Sequence, residues 1–275
     1  MMLPIRPKER LFPALPTLLT LGNAVCGFAS ITFAAKLGPV ATEYNTLLLP
    51  AFLIFLAMVF DSLDGHVARW TNQTSEFGAQ LDSLCDLVSF GVAPAFLLLK
   101  FPQAYHPRVL WVIAVLFLVC AALRLARFNV DLDDEDTHDS FVGLPSPAAA
   151  GALASFAIAM PRVSEMTDPS MAPVVQAFGS WLIPAAGLTV PLFALGLAVL
   201  MISRIRYPHV TNRLLRTRHK FQQLVLLIFG IVAVLAFHEL AIPLVLGFFV
   251  LASPLRAVGA KLPVPSSWNW PRSYQ

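Results

Sequence analysis

Asp61, Asp64, Asp82 and Asp86 are the residues of this chain whose type and spacing point most directly to chemistry. They lie in the run DSLDGHVARWTNQTSEFGAQLDSLCD, residues 61 to 86, between the apolar stretches LLLPAFLIFLAMVF and LVSFGVAPAFLLL. Asp61 and Asp64 are spaced i, i+3, and Asp82 and Asp86 i, i+4, so each pair shares one helical face. Four like charges at low dielectric repel, and the arrangement is costly unless cations intervene. An all-oxygen ligand set with no His or Cys cluster suits hard divalent ions, Mg2+ or Mn2+. Two such ions would balance four carboxylates charge for charge. The same residues also suit a solvated turn with incidental acids, or a proton or cation path of the transporter kind.

The surrounding chain must hold these acids at a membrane. Of 275 residues, 57% are hydrophobic and 13% charged, against about 45–50% apolar and about 25% charged in soluble domains. The expected fold class is therefore all-α, a polytopic membrane protein with about eight transmembrane helices. Spans of about 20 apolar residues are expected near 13–35, 47–70, 80–100, 108–128, 143–161, 178–203, 221–237 and 240–258. One transmembrane catalytic domain, 1–260, would precede a short tail, 261–275. With a cytoplasmic N-terminus, 15 of the 19 basic residues fall on inside segments and 4 outside, as the positive-inside rule asks. Both termini and the acidic hairpin then face the cytoplasm across the inner membrane. Only residues 47 to 60 precede Asp61 in its span, about 21 Å of helix against a hydrocarbon core of about 30 Å. The first carboxylate thus lies within the interface. Cys26, Cys85 and Cys120 lack metal-type spacing and are expected to be reduced packing residues.

Small residues accompany the acids. Gly65 follows Asp64, Ala68 lies one turn on beside Arg69, and Gly78 lies one turn before Asp82. Their lack of bulk lets a ligand approach the backbone, and Arg69 offers a fork of donors to phosphate oxygens. Asn23, within the first span, suits either a bond to another helix or a contact to a bound nucleotide. Arg124 and Arg127, with Asn129 beyond, suit interfacial anchoring or a cationic pocket for an acceptor carboxylate or lipid phosphate. The run DLDDEDTHD, 131–139, reads as a solvated loop. The basic cluster from Arg204 to Lys220, including Arg213 and Arg216, reads as attraction to anionic lipid.

The pattern D-x2-D-G-x2-A-R-x8-G-x3-D-x3-D, from Asp61 to Asp86, resembles the signature of the CDP-alcohol phosphatidyltransferases. The flanks LTLGNAVCGFASI, LDSLCDLVSFGVAPA, LRLARFNV and FVGLPSPAAAG resemble the bacterial membrane-embedded phosphatidylserine synthases within that family. The likeness covers roughly residues 12 to 160, and Thr17 departs from it where relatives often carry Asn. The resemblance implies transfer of a phosphatidyl group from CDP-diacylglycerol to an alcohol, L-serine in this branch, with release of CMP. It implies that Asp61, Asp64, Asp82 and Asp86 ligate two metal ions and that Asp86 is also the general base. It implies further that Gly65, Ala68, Arg69 and Gly78 hold the CDP moiety. Membrane lipids and a second copy of the chain in a homodimer are the partners it implies; no nucleic acid is expected. Sister enzymes using glycerol 3-phosphate, inositol phosphate or choline share the signature, and a transporter remains the reading from another class.

Overall fold

In lipid every backbone N–H and C=O must be satisfied within the protein, so an apolar chain of this kind folds as helices. The computed structural model describes residues 14–38, 43–71, 75–102, 105–131, 140–203, 205–208 and 238–259. The helices are α1 (Ala14–Lys36), α2 (Leu48–Trp70), α3 (Glu76–Asp86), α4 (Ala93–Lys100), α5 (Pro107–Asp131), α6 (Ser146–Glu165), α7 (Pro173–Ile202) and α8 (His238–Gly259). Among the described residues, five stretches are long and apolar enough to cross a membrane: Leu15–Lys36, Tyr44–Ala68, Glu76–Lys100, Pro107–Val130 and Pro173–Ile202. Six of the eight expected spans thus find a helix near their place in the first 203 residues, and the eighth corresponds to α8. The span expected at 221–237 lies outside the described residues, as do the basic cluster 209–220, Arg204, the core of the acidic loop (132–139) and the tail.

α6 is long enough but is not among the five. Its composition explains this: SPAAAGALASFAIAMPRVSE is built of small residues, and most of it is buried against α2, α7 and α8. A helix enclosed by its neighbours needs close packing more than a lipid-facing apolar surface.

The third span differs in detail from the sequence expectation, beginning at Glu76 rather than near residue 80. Ser75 explains the earlier start: its hydroxyl accepts the N–H of Gly78 at 3.0 Å, capping the first turn of α3. After Asp86 the helix widens into a π-helical stretch, Leu87–Val92, before α4. Pro94 lies in the first turn of α4 and has no N–H to return to the Phe90 carbonyl. The N–H of Ala93 reaches back five residues to Val88, the bond that defines a π turn.

Two tethers fix the ends of the elements around the acidic hairpin. Lys100 Nζ donates to the carbonyls of Leu37 (3.4 Å) and Gly38 (2.8 Å), joining the exit of α1 to the end of α4. On the other side a short antiparallel pairing joins β1 (Ser140–Val142) to β2 (Arg206–Pro208), with Phe141 opposite Tyr207. Gly143 follows β1 with φ of +86°, and a Cβ there would lie 2.5 Å from the Met201 carbonyl oxygen. Only glycine turns the chain here without collision, and the turn delivers Ser146 to the start of α6.

Candidate active site

α2 and α3 form the hairpin that carries the acids, and α1 packs against both. The helical spacing of the two pairs turns them toward each other. One carboxylate oxygen from each of Asp61, Asp64 and Asp82 comes within 4.8 Å of the others. Asp86 sits beside this group, close enough to Asp61 for the two carboxylates to influence each other. Asp64 and Asp86 are buried, at 5% and 7% exposure, so these are not acids of a solvated turn. Asp64 Oδ2 and Asp82 Oδ1 are buried with no hydrogen-bond partner. Buried acceptors are nearly always satisfied. Converging carboxylates with spare acceptor atoms are the donor set a hard divalent cation takes, so the cluster fits a metal.

α1 lines one side of the cluster. Thr20, Asn23, Gly27 and Ser30 fall three or four residues apart, on one face of that helix. The Thr20 hydroxyl donates to the Pro16 carbonyl at 3.1 Å and lies beside Asp64. Asn23 Nδ2 donates to Asp86 Oδ1 at 2.9 Å, while Asn23 Oδ1 is buried without a partner. The Ser89 hydroxyl donates to the main-chain carbonyl of Asn23 at 2.9 Å. Ser30 reaches the Pro50 carbonyl at 2.8 Å, fastening α1 to α2.

α5 closes another side. Arg124 donates through Nη1 to the hydroxyl of Ser146, at 2.5 Å, and its charge is felt by both Asp61 and Asp86. Ser146 is fully buried at the head of α6, so the turn at Gly143 also determines where this arginine can rest. Asn129, near the end of α5, exchanges hydrogen bonds with Ser83 at 3.0 and 3.1 Å, next to Asp82. Arg127 lies on the same helix one turn beyond Leu123. Of the residues expected to face a nucleotide, Gly65 and Ala68 lie on α2 and Gly78 on α3. A Cβ built on Gly65 meets nothing within 4 Å, so packing does not require its smallness. Gly78 has a structural duty as well, since its N–H is the one Ser75 caps. The side chain of Arg69 lies outside the described residues.

Sequence reasoning overlooked Thr20, Ser89 and Ser146. A signal was present for Thr20, one turn from Asn23 on the same face. None existed for Ser89 or Ser146, whose roles arise from contacts across 66 and 22 residues.

The model of the CDP-alcohol phosphatidyltransferase family matches residues 13–192. A Methanocaldococcus jannaschii protein named CDP-diacylglycerol–serine O-phosphatidyltransferase is 39% identical over 176 residues, 64% of this chain and 72% of that one. A Helicobacter pylori protein of the same name is 31% identical over 194 residues, 70% of this chain and 71% of its own. A Bacillus subtilis protein, again of that name, is 29% identical over 195 residues, covering 71% of this chain and 90% of the other. The matched residues enclose α1 to α6, including the helices that carry the acid cluster, and the chain belongs to the CDP-alcohol phosphatidyltransferase family.

Proposed function

We propose that this protein transfers the phosphatidyl group of CDP-diacylglycerol to the hydroxyl of L-serine, releasing CMP. The observation that carries the reading is the convergence of Asp61, Asp64 and Asp82 beside buried Asp86, in a chain whose relatives bear the name of that serine enzyme.

Asp61, Asp64, Asp82 and Asp86 would hold two divalent cations, Mg2+ or Mn2+, which when bound supply positive charge to the pyrophosphate and to the departing CMP. Asp86 is the general base: a serine hydroxyl is a poor nucleophile at neutral pH and needs an acceptor for its proton within hydrogen-bond reach. The freed oxygen attacks the phosphatidyl phosphorus, the bond to the CMP oxygen breaks, and Asp86 keeps the proton. No side chain stands out as a covalent carrier, so the displacement is direct and inverts the phosphorus; retention of configuration would rule it out. Gly65, Ala68, Arg69 and Gly78 would hold the CDP moiety, as the signature positions they match imply. Asn23 belongs to the same set: its Nδ2 bonds Asp86, and its Oδ1 has no partner among the described residues. Arg124, with Arg127 and Asn129 on the same helix, presents positive charge and amide groups for the serine carboxylate or a lipid phosphate. Acyl chains stay in lipid while cytidine and serine enter from the cytoplasm, across the inner membrane. A homodimer and one catalytic domain over residues 1–260 belong to the same reading.

The test is CMP release by purified protein in Mg2+ or Mn2+, with labelled serine, glycerol 3-phosphate, inositol phosphate and choline supplied in turn. Release that depends on serine alone supports the proposal. Release with another acceptor moves the chain to a sister activity. Solute flux across sealed vesicles with no CMP formed would replace it with transport.

A further inference from the structure

Asn23 is fully buried in α1, and two of its polar atoms are committed to one face of the helix opposite. Its Nδ2 donates to Asp86 Oδ1 at 2.9 Å, and its main-chain oxygen accepts from the Ser89 hydroxyl at 2.9 Å. Asp86 and Ser89 are three residues apart, at the junction where α3 widens into its π-helical stretch. One turn further along α1, a Cβ on Gly27 would lie 2.3 Å from Ser89 Oγ and 2.7 Å from Ser89 Cα. The two helices therefore touch backbone to backbone, and Ser89 has no room to shift toward α1. Asn23 keeps its bond to Asp86 although its own Oδ1 is left buried and unpartnered.

We propose that Asn23 is a positioning residue for Asp86, anchored through Ser89 and the Gly27 contact. This rests on the role given to Asp86 above. A carboxylate that must meet a serine hydroxyl needs its orientation fixed to a fraction of an ångström. An amide supplies the donor without a charge, so it orients Asp86 without competing with cations for the cluster, as a lysine or arginine would. Widening the helix just after Asp86 also lets Ser89 reach α1 while Asp86 stays turned to the acids.

The test uses the full chain in detergent or liposomes, with Asn23→Ala, the similarly sized Asn23→Leu, and Ser89→Ala. Steady-state CMP release is measured for both substrates, and Mn2+ binding is titrated by electron paramagnetic resonance without substrate. Both Asn23 variants should lose about 10- to 100-fold in kcat or in Mn2+ affinity, the loss typical of groups that orient a metal-site ligand, with KM for CDP-diacylglycerol unchanged. Ser89→Ala should act in the same direction, more weakly, and add little to Asn23→Ala because the two share one anchor. A raised KM for CDP-diacylglycerol with kcat and Mn2+ binding intact would overturn the proposal in favour of a nucleotide contact. Wild-type kcat and Mn2+ binding in Asn23→Leu and Ser89→Ala would overturn it as well, even if Asn23→Ala fails to fold. The Mn2+ titration requires no acceptor. If CMP release proves independent of serine while Asn23→Leu still weakens Mn2+ binding, the serine reading falls and the positioning role stands.

Discussion

Acidic residues occur at both ends of the helix bundle, and the two ends satisfy them differently. At the α6–α7 turn, Glu165 takes a 2.7 Å bond from Arg162, with both side chains more than half exposed. Asp168 accepts the N–H of Ser170 at 2.8 Å, and bonding to Ser170 holds its carboxyl below the ordinary carboxylate range. About 30 Å away, by the length of α6, Asp61, Asp64, Asp82 and Asp86 crowd together, and among the described residues Arg124 is the cation whose field reaches Asp61 and Asp86. Among the described residues, two of their oxygens are buried without a hydrogen-bond partner. The far end has its partners built in. The hairpin end leaves acceptor atoms open among the described residues, as a binding site does and a solvated surface does not.

Removing the ions that would fill it should give the largest effect. Chelation of divalent ions should abolish CMP release, and Mg2+ or Mn2+ should restore it. The same ions should stabilise the fold by about 2.7 kcal/mol at a hundredfold excess over Kd, read as a rise in Tm. Asp86→Asn removes the proposed base while keeping the shape, and should cost on the order of 10²- to 10⁴-fold in kcat. Full activity in the presence of a strong chelator would erase the contrast between the two ends.

Arg124→Lys comes next. Lysine keeps the charge but loses the planar fork, of which one nitrogen bonds Ser146 and the remaining donors are free to serve a ligand's oxygens. KM for serine should rise about tenfold, the worth of one charge-assisted hydrogen bond, and KM for CDP-diacylglycerol should move less. An equal rise in both would assign Arg124 to the lipid phosphate or to structure.

Two glycines sharpen the comparison within the hairpin end itself. Gly27→Ala forces a Cβ into Ser89 and should destabilise by about 1–3 kcal/mol, as overpacking does. Gly65→Ala meets no atom within 4 Å, and alanine favours helix over glycine by about 1 kcal/mol. It should therefore hold or raise Tm while raising KM for CDP-diacylglycerol. If Gly65→Ala leaves KM untouched, the open space above that glycine does not receive the nucleotide.

These contrasts also show which parts of the molecule could be read without coordinates. α1, α2, α5, α6 and α7 begin and end within a few residues of the expected spans, because apolar length is a local property of the chain. The meeting of Asp61, Asp64 and Asp82 was legible too: i, i+3 and i, i+4 spacing on a hairpin leaves little freedom for where the acids point. The early start of α3 depended on a single capping hydroxyl, Ser75, and the π-helical stretch on a proline two residues past its end. Arg124 was visible as a cation near the interface, yet its partner Ser146 was not. That contact requires the positive-φ turn at Gly143 and the β1–β2 pairing, which joins segments more than sixty residues apart. Asn23 was visible as an amide within the first span, suited to bond another helix, but its neighbour across the helix interface could not be inferred from α1 alone.

The smallest expected effect belongs to the far end. Glu165→Gln removes the charge from its bond with Arg162 but keeps an oxygen able to accept. Exposed pairs contribute at most about 1 kcal/mol, less in salt, because water solvates both groups once the bond is lost. Tm should therefore change little, and kcat and both KM values should stay at wild-type levels. The variant carries the same kind of charge change as Asp86→Asn and differs from it in place and burial. A loss of activity in Glu165→Gln comparable to that of Asp86→Asn would mean that the chain responds to its total charge. Silence at Glu165 beside a large loss at Asp86 would tie the chemistry to the buried cluster and to its unpartnered oxygens.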